Sequence, residues 1–171
     1  MYVSVPANFF GQIQKYPDGR YCEGLTYGHI LVYFRTVSIS RGIHEGLESL
    51  TTRAKENAQH NQLADKASFM QSDLFEVTTE TIASWGKAER WLMDPPREGA
   101  MEICKALADL HASNNSLMPE RIVYVSCNPK TLARDAEILC HHAGYTLKGA
   151  GIVNMFPHTS HVESMAVFQR G

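Results

Sequence analysis

Apolar residues recur along this chain with two different periods, and the switches between them mark its elements. Leu47, Leu50, Ala54, Ala58 and Leu63 return at helical spacing with Arg53, Lys55 and Glu56 on the polar side, which predicts an amphipathic helix after Gly42. Ser68-Phe69-Met70 and Trp91-Leu92-Met93 read as short strands. The second stops at Asp94-Pro95-Pro96, because proline fixes φ and cannot donate to a ladder. Ile103, Leu107 and Leu110 predict a helix over Ala100 to Ala112. Within Arg121 to Ser126, Ile122-Val123-Tyr124-Val125 is a continuous apolar run, the signature of a strand covered on both faces. A helix over Thr131 to Ala143 follows, with Gly144 as its C-cap, and Tyr145 to Val153 and Ser164 to Gln169 read as closing strands. The stretch before Gly42 is interrupted by Gly11, Gly19, Gly24 and Gly28, and only Gly28 to Ser40 holds a strand-like run, Ile30 to Phe34.

Strand and helix alternate at βαβ spacing, which predicts an α/β fold: a doubly wound, open and mainly parallel sheet with helices on both faces. Ligands of such sheets sit beyond the C-terminal ends of the strands. Three polar clusters fall at such ends, Asp94 to Gly99, Ser126 to Asp135 and Asn154 to Glu163, and these are the candidate chemistry.

Composition narrows the classes. The chain has 171 residues, 44% hydrophobic and 20% charged, enough for one domain with a core. No apolar run approaches the ~20 residues of a membrane helix, and no charged-then-apolar leader opens the chain, so neither a membrane nor secretion is expected, and a cytoplasmic location is. Cys22, Cys104, Cys127 and Cys140 form no CxxC pair, which argues against zinc and against an iron–sulfur cluster in this chain. The net charge of -2 gives no global basic signature, so binding to nucleic acid requires a local patch.

Within the clusters, Cys127 lies between a strand tip and a helix, where unpaired N–H groups and the helix dipole favour a thiolate, and Lys130 and Arg134 are close enough in sequence to add to that field. A half-buried structural cysteine in a turn accounts for the same position, and both readings stay open on this residue alone. Cys104 and Cys140 sit among apolar helix residues and read as structural. His158, His161 and Glu163 fall within six residues, but a His-x-x-His-x-Glu loop lacks the fixed facing geometry of a helical zinc motif, so no metal is expected. Glu163 instead abuts the apolar strand Met165 to Phe168, where partial burial suits a general base, although an ordinary loop carboxylate would look the same. Asp94 before a rigid turn suits a ligand amine or a base edge, although prolines that simply end a strand account for the same pattern.

Taken together and in order, Asp94-Pro-Pro-Arg-x-Gly99, Val125-Ser-Cys-Asn-Pro-x-Thr-Leu-Ala-Arg-Asp135 and Met155-Phe-Pro-His-Thr-x-His-Val-Glu163 resemble the RNA uracil-5-methyltransferases, most nearly the bacterial enzymes of 23S ribosomal RNA. The resemblance covers about residues 42–171, a partial catalytic domain, and sets residues 1–41 apart as a divergent segment. It implies a Rossmann-like fold, S-adenosylmethionine as methyl donor and RNA as partner, ribosomal or transfer, with no obligate protein partner. It implies that Cys127 attacks C6 of uracil and that Glu163 removes the C5 proton. It also implies that Asp94 stands where cofactor meets target base, that Glu45 binds the cofactor ribose and that Asp73 lies beside the adenine. The base must be unstacked to reach Cys127.

The chain departs from the family pattern in places. A glycine-rich cofactor loop of the type Asp-x-x-Cys-Gly-x-Gly-x-Phe does not precede Glu45, Asn8-Phe9-Phe10-Gly11-Gln12 is a distorted copy of a Phe-x-Gln segment, and Asn154 replaces a customary aspartate. The RNA-binding barrel and cysteine cluster of ribosomal-RNA members have no counterpart here. These departures point to a truncated product with a rebuilt or out-of-frame start, an incomplete first βαβ unit and doubtful turnover. The alternative function is an inactive remnant or RNA-binding module that keeps the fold without binding the methyl donor.

Overall fold

The structure is a computed structural model that describes residues 41–45, 48–62, 64–65, 67–113, 116–154, 158 and 162–171. The strand expected within Gly28 to Ser40 lies outside the described residues. The chain divides into two compact units, with the boundary between Asp73 and Leu74.

In the first unit, β1 (Arg41–Glu45) pairs in parallel with β2 (Ala67–Gln71), joined through helix α1 (Glu48–His60). This is one βαβ crossover. Thr51, Ala54 and Ala58 form the buried stripe of α1; of the expected helical positions Ala54 and Ala58 are buried, Leu50 is half-buried, and Leu47 and Leu63 lie outside the described residues. The stripe is made of small side chains. β1 itself was not anticipated: only Ile43 is a large aliphatic residue in Arg41-Gly-Ile-His-Glu45, and two of the five residues are formally charged at pH 7.

The second unit holds α2 (Thr79–Trp85), β3 (Arg90–Met93), α3 (Met101–Ala112), β4 (Arg121–Ser126), α4 (Pro129–His141), β5 (Tyr145–Val153) and β6 (Glu163–Arg170). Its four-stranded sheet has the order β3-β4-β6-β5. β3 and β4 are parallel, and β6 inserts antiparallel between β4 and β5, so that β3, β4 and β5 point one way and β6 alone runs back. The expectation of a mainly parallel sheet thus holds, with the last strand reversed. Helix α2 was not anticipated. Thr78 caps it through a reciprocal capping box with Thr81, a pair of threonines in place of the usual Ser/Thr with Glu/Gln.

The core lies on one face of this sheet. Ile122 and Tyr124 of β4 and Ala166 and Phe168 of β6 pack with Ile103, Cys104, Leu107 and Leu110 of α3 and Leu132 and Leu139 of α4. The alternate residues Val123, Val125, Met165 and Val167 are only half-buried. The apolar run in β4 therefore does not mark equal burial of both faces. Leu107 and Leu139 are fully enclosed, and emptying either to alanine would cost about 2–5 kcal/mol.

Candidate active site

Strand register gathers Asp94, Cys127 and Glu163 of the second unit at one edge. β4 ends at Ser126, which pairs with Ser164 of β6, and Ser164 Oγ donates to Ser126 O at 3.0 Å. Cys127, the next residue of the β4 chain, thus stands opposite Glu163, the first residue of β6. Glu163 also pairs with Val153, the last residue of β5. Asp94 follows Met93, whose partner on β4 is Tyr124. One reversed strand is what brings Glu163 to the edge where β3, β4 and β5 end.

Cys127 is a half-buried free thiol. Its two neighbours lock the turn. Ser126 Oγ accepts from Asn128 N at 3.1 Å and donates to Asn128 O at 3.0 Å. Asn128 is the N-cap of α4, with its Oδ1 accepting from Lys130 N at 3.2 Å and Pro129 in the first helical turn. The thiol therefore stands directly before the positive end of a helix of 13 residues. Arg134 does not face it as the sequence suggested. Its guanidinium pairs with Asp135 Oδ1 at 2.7 Å and donates to Glu98 O at 2.8 Å.

Asp94 keeps an exposed surface, yet its carboxyl is pushed up to about 6 by loss of water around it and by the Glu163 carboxylate nearby. Lost hydration is the larger cause, and the Glu163 carboxylate adds to it. Glu163 is half-buried. Of the histidine segment, His158 is exposed in a left-handed conformation at φ 69, and His161 lies outside the described residues.

The turn after Asp94 is fastened to α4. Asn128 Nδ2 and Thr131 Oγ1 both donate to Arg97 O, at 3.0 and 3.1 Å. Ala100 N donates to Asp135 Oδ2 at 2.7 Å, and Tyr124 OH donates to the same oxygen at 2.6 Å. Asp135 is fully buried. Sequence reading passed over it and Tyr124, although a signal existed: Leu132, Asp135 and Leu139 share the buried stripe of α4, and a carboxylate on such a stripe requires partners.

In the first unit, Glu45 ends β1 half-buried, and its carbonyl accepts from Ser72 N at 3.0 Å. Asp73 is exposed just past β2. Both stand at the C-terminal ends of parallel strands, as ligand-binding groups of such sheets do. A recess of about 270 Å³ lined by Lys55, Ala58, Gln59, Ala64, Ser68 and Phe69 lies toward the start of β2, away from Asp73.

The fold is shared with solved methyltransferase structures. Magnesium protoporphyrin IX methyltransferase of Synechocystis PCC 6803, with bound S-adenosylhomocysteine, superposes with a TM-score of 0.58 at 15% identity, over 85% of this chain and 70% of that one. That likeness establishes the Rossmann-like fold. The tRNA (Uracil-5-)-methyltransferase family model matches residues 59–171, and the chain belongs to that family. The 23S rRNA (uracil(1939)-C(5))-methyltransferase RlmD of Polynucleobacter necessarius subsp. necessarius (strain STIR1) is 81% identical over 126 residues, which are 74% of this chain and 26% of the relative. The enzyme of the same name from Cupriavidus metallidurans (strain ATCC 43123 / DSM 2839 / NBRC 102507 / CH34) is 64% identical over 126 residues, 74% of this chain and 27% of the relative. The chain thus spans about a quarter of the length of these curated relatives.

Proposed function

We propose that this chain carries catalytic machinery for methylating C5 of a uridine in RNA, with 23S ribosomal RNA as the substrate and the cytoplasm as its location. The observation that carries the proposal is the β4–β6 register, which sets Cys127 beside Glu163 at the strand ends near Asp94. C5 of uracil is too weak a nucleophile until the ring is covalently activated. Cys127 supplies that activation: its sulfur bonds to C6, and the ring electrons move to C5 as an enolate. Glu45 and Asp73 offer carboxylates that would hold the hydroxyls and exocyclic amine of S-adenosylmethionine, which when bound would supply the methyl group that C5 takes, its sulfur leaving as the neutral thioether. Asp94 orients the target base at its polar edge. Glu163 then takes the C5 proton, the C6–sulfur bond breaks, and Cys127 is released.

The experiment is adduct formation with RNA containing 5-fluorouridine in the presence of the methyl donor. The parent chain is expected to give a protein–RNA adduct stable to denaturation, and Cys127→Ala none. With ordinary RNA, Glu163→Gln is expected to stay linked to methylated product, because the C5 proton is not removed. An adduct that survives Cys127→Ala refutes the assignment of the nucleophile, and free product at the parent rate from Glu163→Gln excludes that residue as base. A folded parent that binds no methyl donor leaves the chain as a remnant that has kept only the fold.

A further inference from the structure

The turn 94–100 is held by no strand pairing, and it is anchored by a group with no part in the chemistry above. Asp135 has no exposed surface. One of its oxygens receives Ala100 N and the Tyr124 hydroxyl, and the other receives the Arg134 guanidinium. Arg134 in turn holds Glu98 O, and Thr131 and Asn128 hold Arg97 O. The fit is close: Gly99 has φ +83, and a Cβ there would stand 2.6 Å from Asp135 Oδ2 and 2.7 Å from Arg134 Nη2. Between this anchor and Asp94 lie Pro95 and Pro96, whose fixed φ leaves little slack, and Gly99 N closes the turn on Pro96 O at 2.9 Å.

We propose that Asp135 is a positioning residue: its buried carboxylate ties the Asp94 turn to the helix that begins beside Cys127, and so sets where Asp94 stands relative to Cys127 and Glu163. The placement is economical in chain terms. The same helix whose first turn fixes Cys127 presents, two turns on, the group that fixes the opposing loop, so nucleophile and orienting acid share one rigid support. A buried carboxylate without this task would be a poor choice for a core position, because an apolar residue would fill it at no cost in desolvation. The inference rests on the reading of Asp94, Cys127 and Glu163 as one site.

The test follows Asp94 directly. Its side-chain carboxyl is titrated by carbon NMR in the parent chain, in Asp135→Asn and in Thr131→Val, with thermal unfolding recorded for each. Burial and Glu163 hold the Asp94 carboxyl up, at about 6. In folded Asp135→Asn the midpoint is expected to fall by at least one pH unit toward the ordinary aspartate value, as the turn swings into solvent. Thr131→Val removes one of the bonds to Arg97 O at a half-buried position and is expected to give a smaller fall in the same direction. A purely structural Asp135 would lower the unfolding temperature and leave the Asp94 titration in place, and that result in a folded variant overturns the proposal. If Asp135→Asn does not fold, an unshifted Thr131→Val overturns it instead. Where methyl transfer is measurable, Asp135→Asn is expected to lower kcat tenfold or more with KM for RNA within threefold. Absence of transfer in the parent would count against the catalytic reading and leave the titration result standing.

Discussion

Asp94 is a residue whose fold works against its charge. The carboxyl ordinarily titrates at 3.8 and is raised here to about 6, first by lost hydration and then by Glu163. Between those two values the folded chain holds a proton that the unfolded chain has released. Stability therefore rises as pH falls from about 6 to about 4, and the ionised group weakens the fold at neutral pH. Asp94 retains exposed surface, so solvent screening keeps this cost below about 1 kcal/mol. Asp94→Asn removes the charge at similar shape. It is expected to raise the unfolding midpoint at pH 7.5 by roughly 1–3 °C, to flatten the dependence on pH between 4 and 6, and to impair methyl transfer. Differential scanning calorimetry across that range checks it, and a lowered midpoint at pH 7.5 would show the carboxylate to be held by partners that favour its charge. A group kept partly protonated near neutrality beside a second acid is what an orienting or proton-handling role needs, and such tension is commonly found at functional sites.

At the scale of elements, the turns carry as much information as the strands. The sequence predicts Gly144 as the C-cap of a helix over Thr131 to Ala143. The helix instead closes at His142, whose N–H reaches Ile138 O, and Gly144 lies two residues on with φ +72. It is needed there for two reasons. The left-handed backbone disfavours a side chain, and a Cβ would stand 2.5 Å from the His111 ring at the end of α3. Gly144→Ala is expected to cost roughly 1–3 kcal/mol by urea unfolding. Adding His111→Ala should restore the part due to the clash and leave the part due to backbone strain. Full recovery in the double variant would assign the whole cost to His111.

The same local view explains what was legible in the sequence. β4, β5 and the stripe of α3 follow from their apolar periods, and Asp94 and Cys127 fall just past strand ends because prolines and a cap punctuate the chain there, whereas Glu163 opens β6 and most of 154–163 lies outside the described residues. β1 escaped because only Ile43 marks it as apolar, and α2 because its seven residues begin with Thr-Glu-Thr, a sequence of β-branched and polar side chains with little helical signal. Helix periodicity finds which face is buried, but it does not say what a buried Asp135 will hold. That required the loop of 97–100, which is 35 residues away in sequence at the Ala100 bond. Adjacency of Cys127 and Glu163 was likewise invisible to pattern, since it depends on β6 running backward between β4 and β5.

For the molecule as a whole, the question is how much binding this chain achieves by itself. It matches its curated relatives over about a quarter of their length, and its net charge is -2. Nothing in residues 1–41 resembles the glycine-rich loop that the family resemblance leads one to expect before Glu45. Each net hydrogen bond contributes ~0.5–1.5 kcal/mol, and ~1.4 kcal/mol is tenfold in affinity. The lack of two or three such contacts, with the preorganisation they bring, predicts S-adenosylmethionine binding about a hundredfold weaker than in the full-length Polynucleobacter relative. RNA binding should be weak and nearly flat against salt, because log affinity falls with salt in proportion to the phosphates neutralised and this chain has no excess of cations. Isothermal titration of both proteins with S-adenosylmethionine, and RNA titrations from 50 to 200 mM salt, check the two halves. Equal cofactor affinity would mean that residues 1–41 supply the loop's contacts by another route. A steep salt slope would mean that the chain's 16 lysines and arginines concentrate on one face despite its net charge.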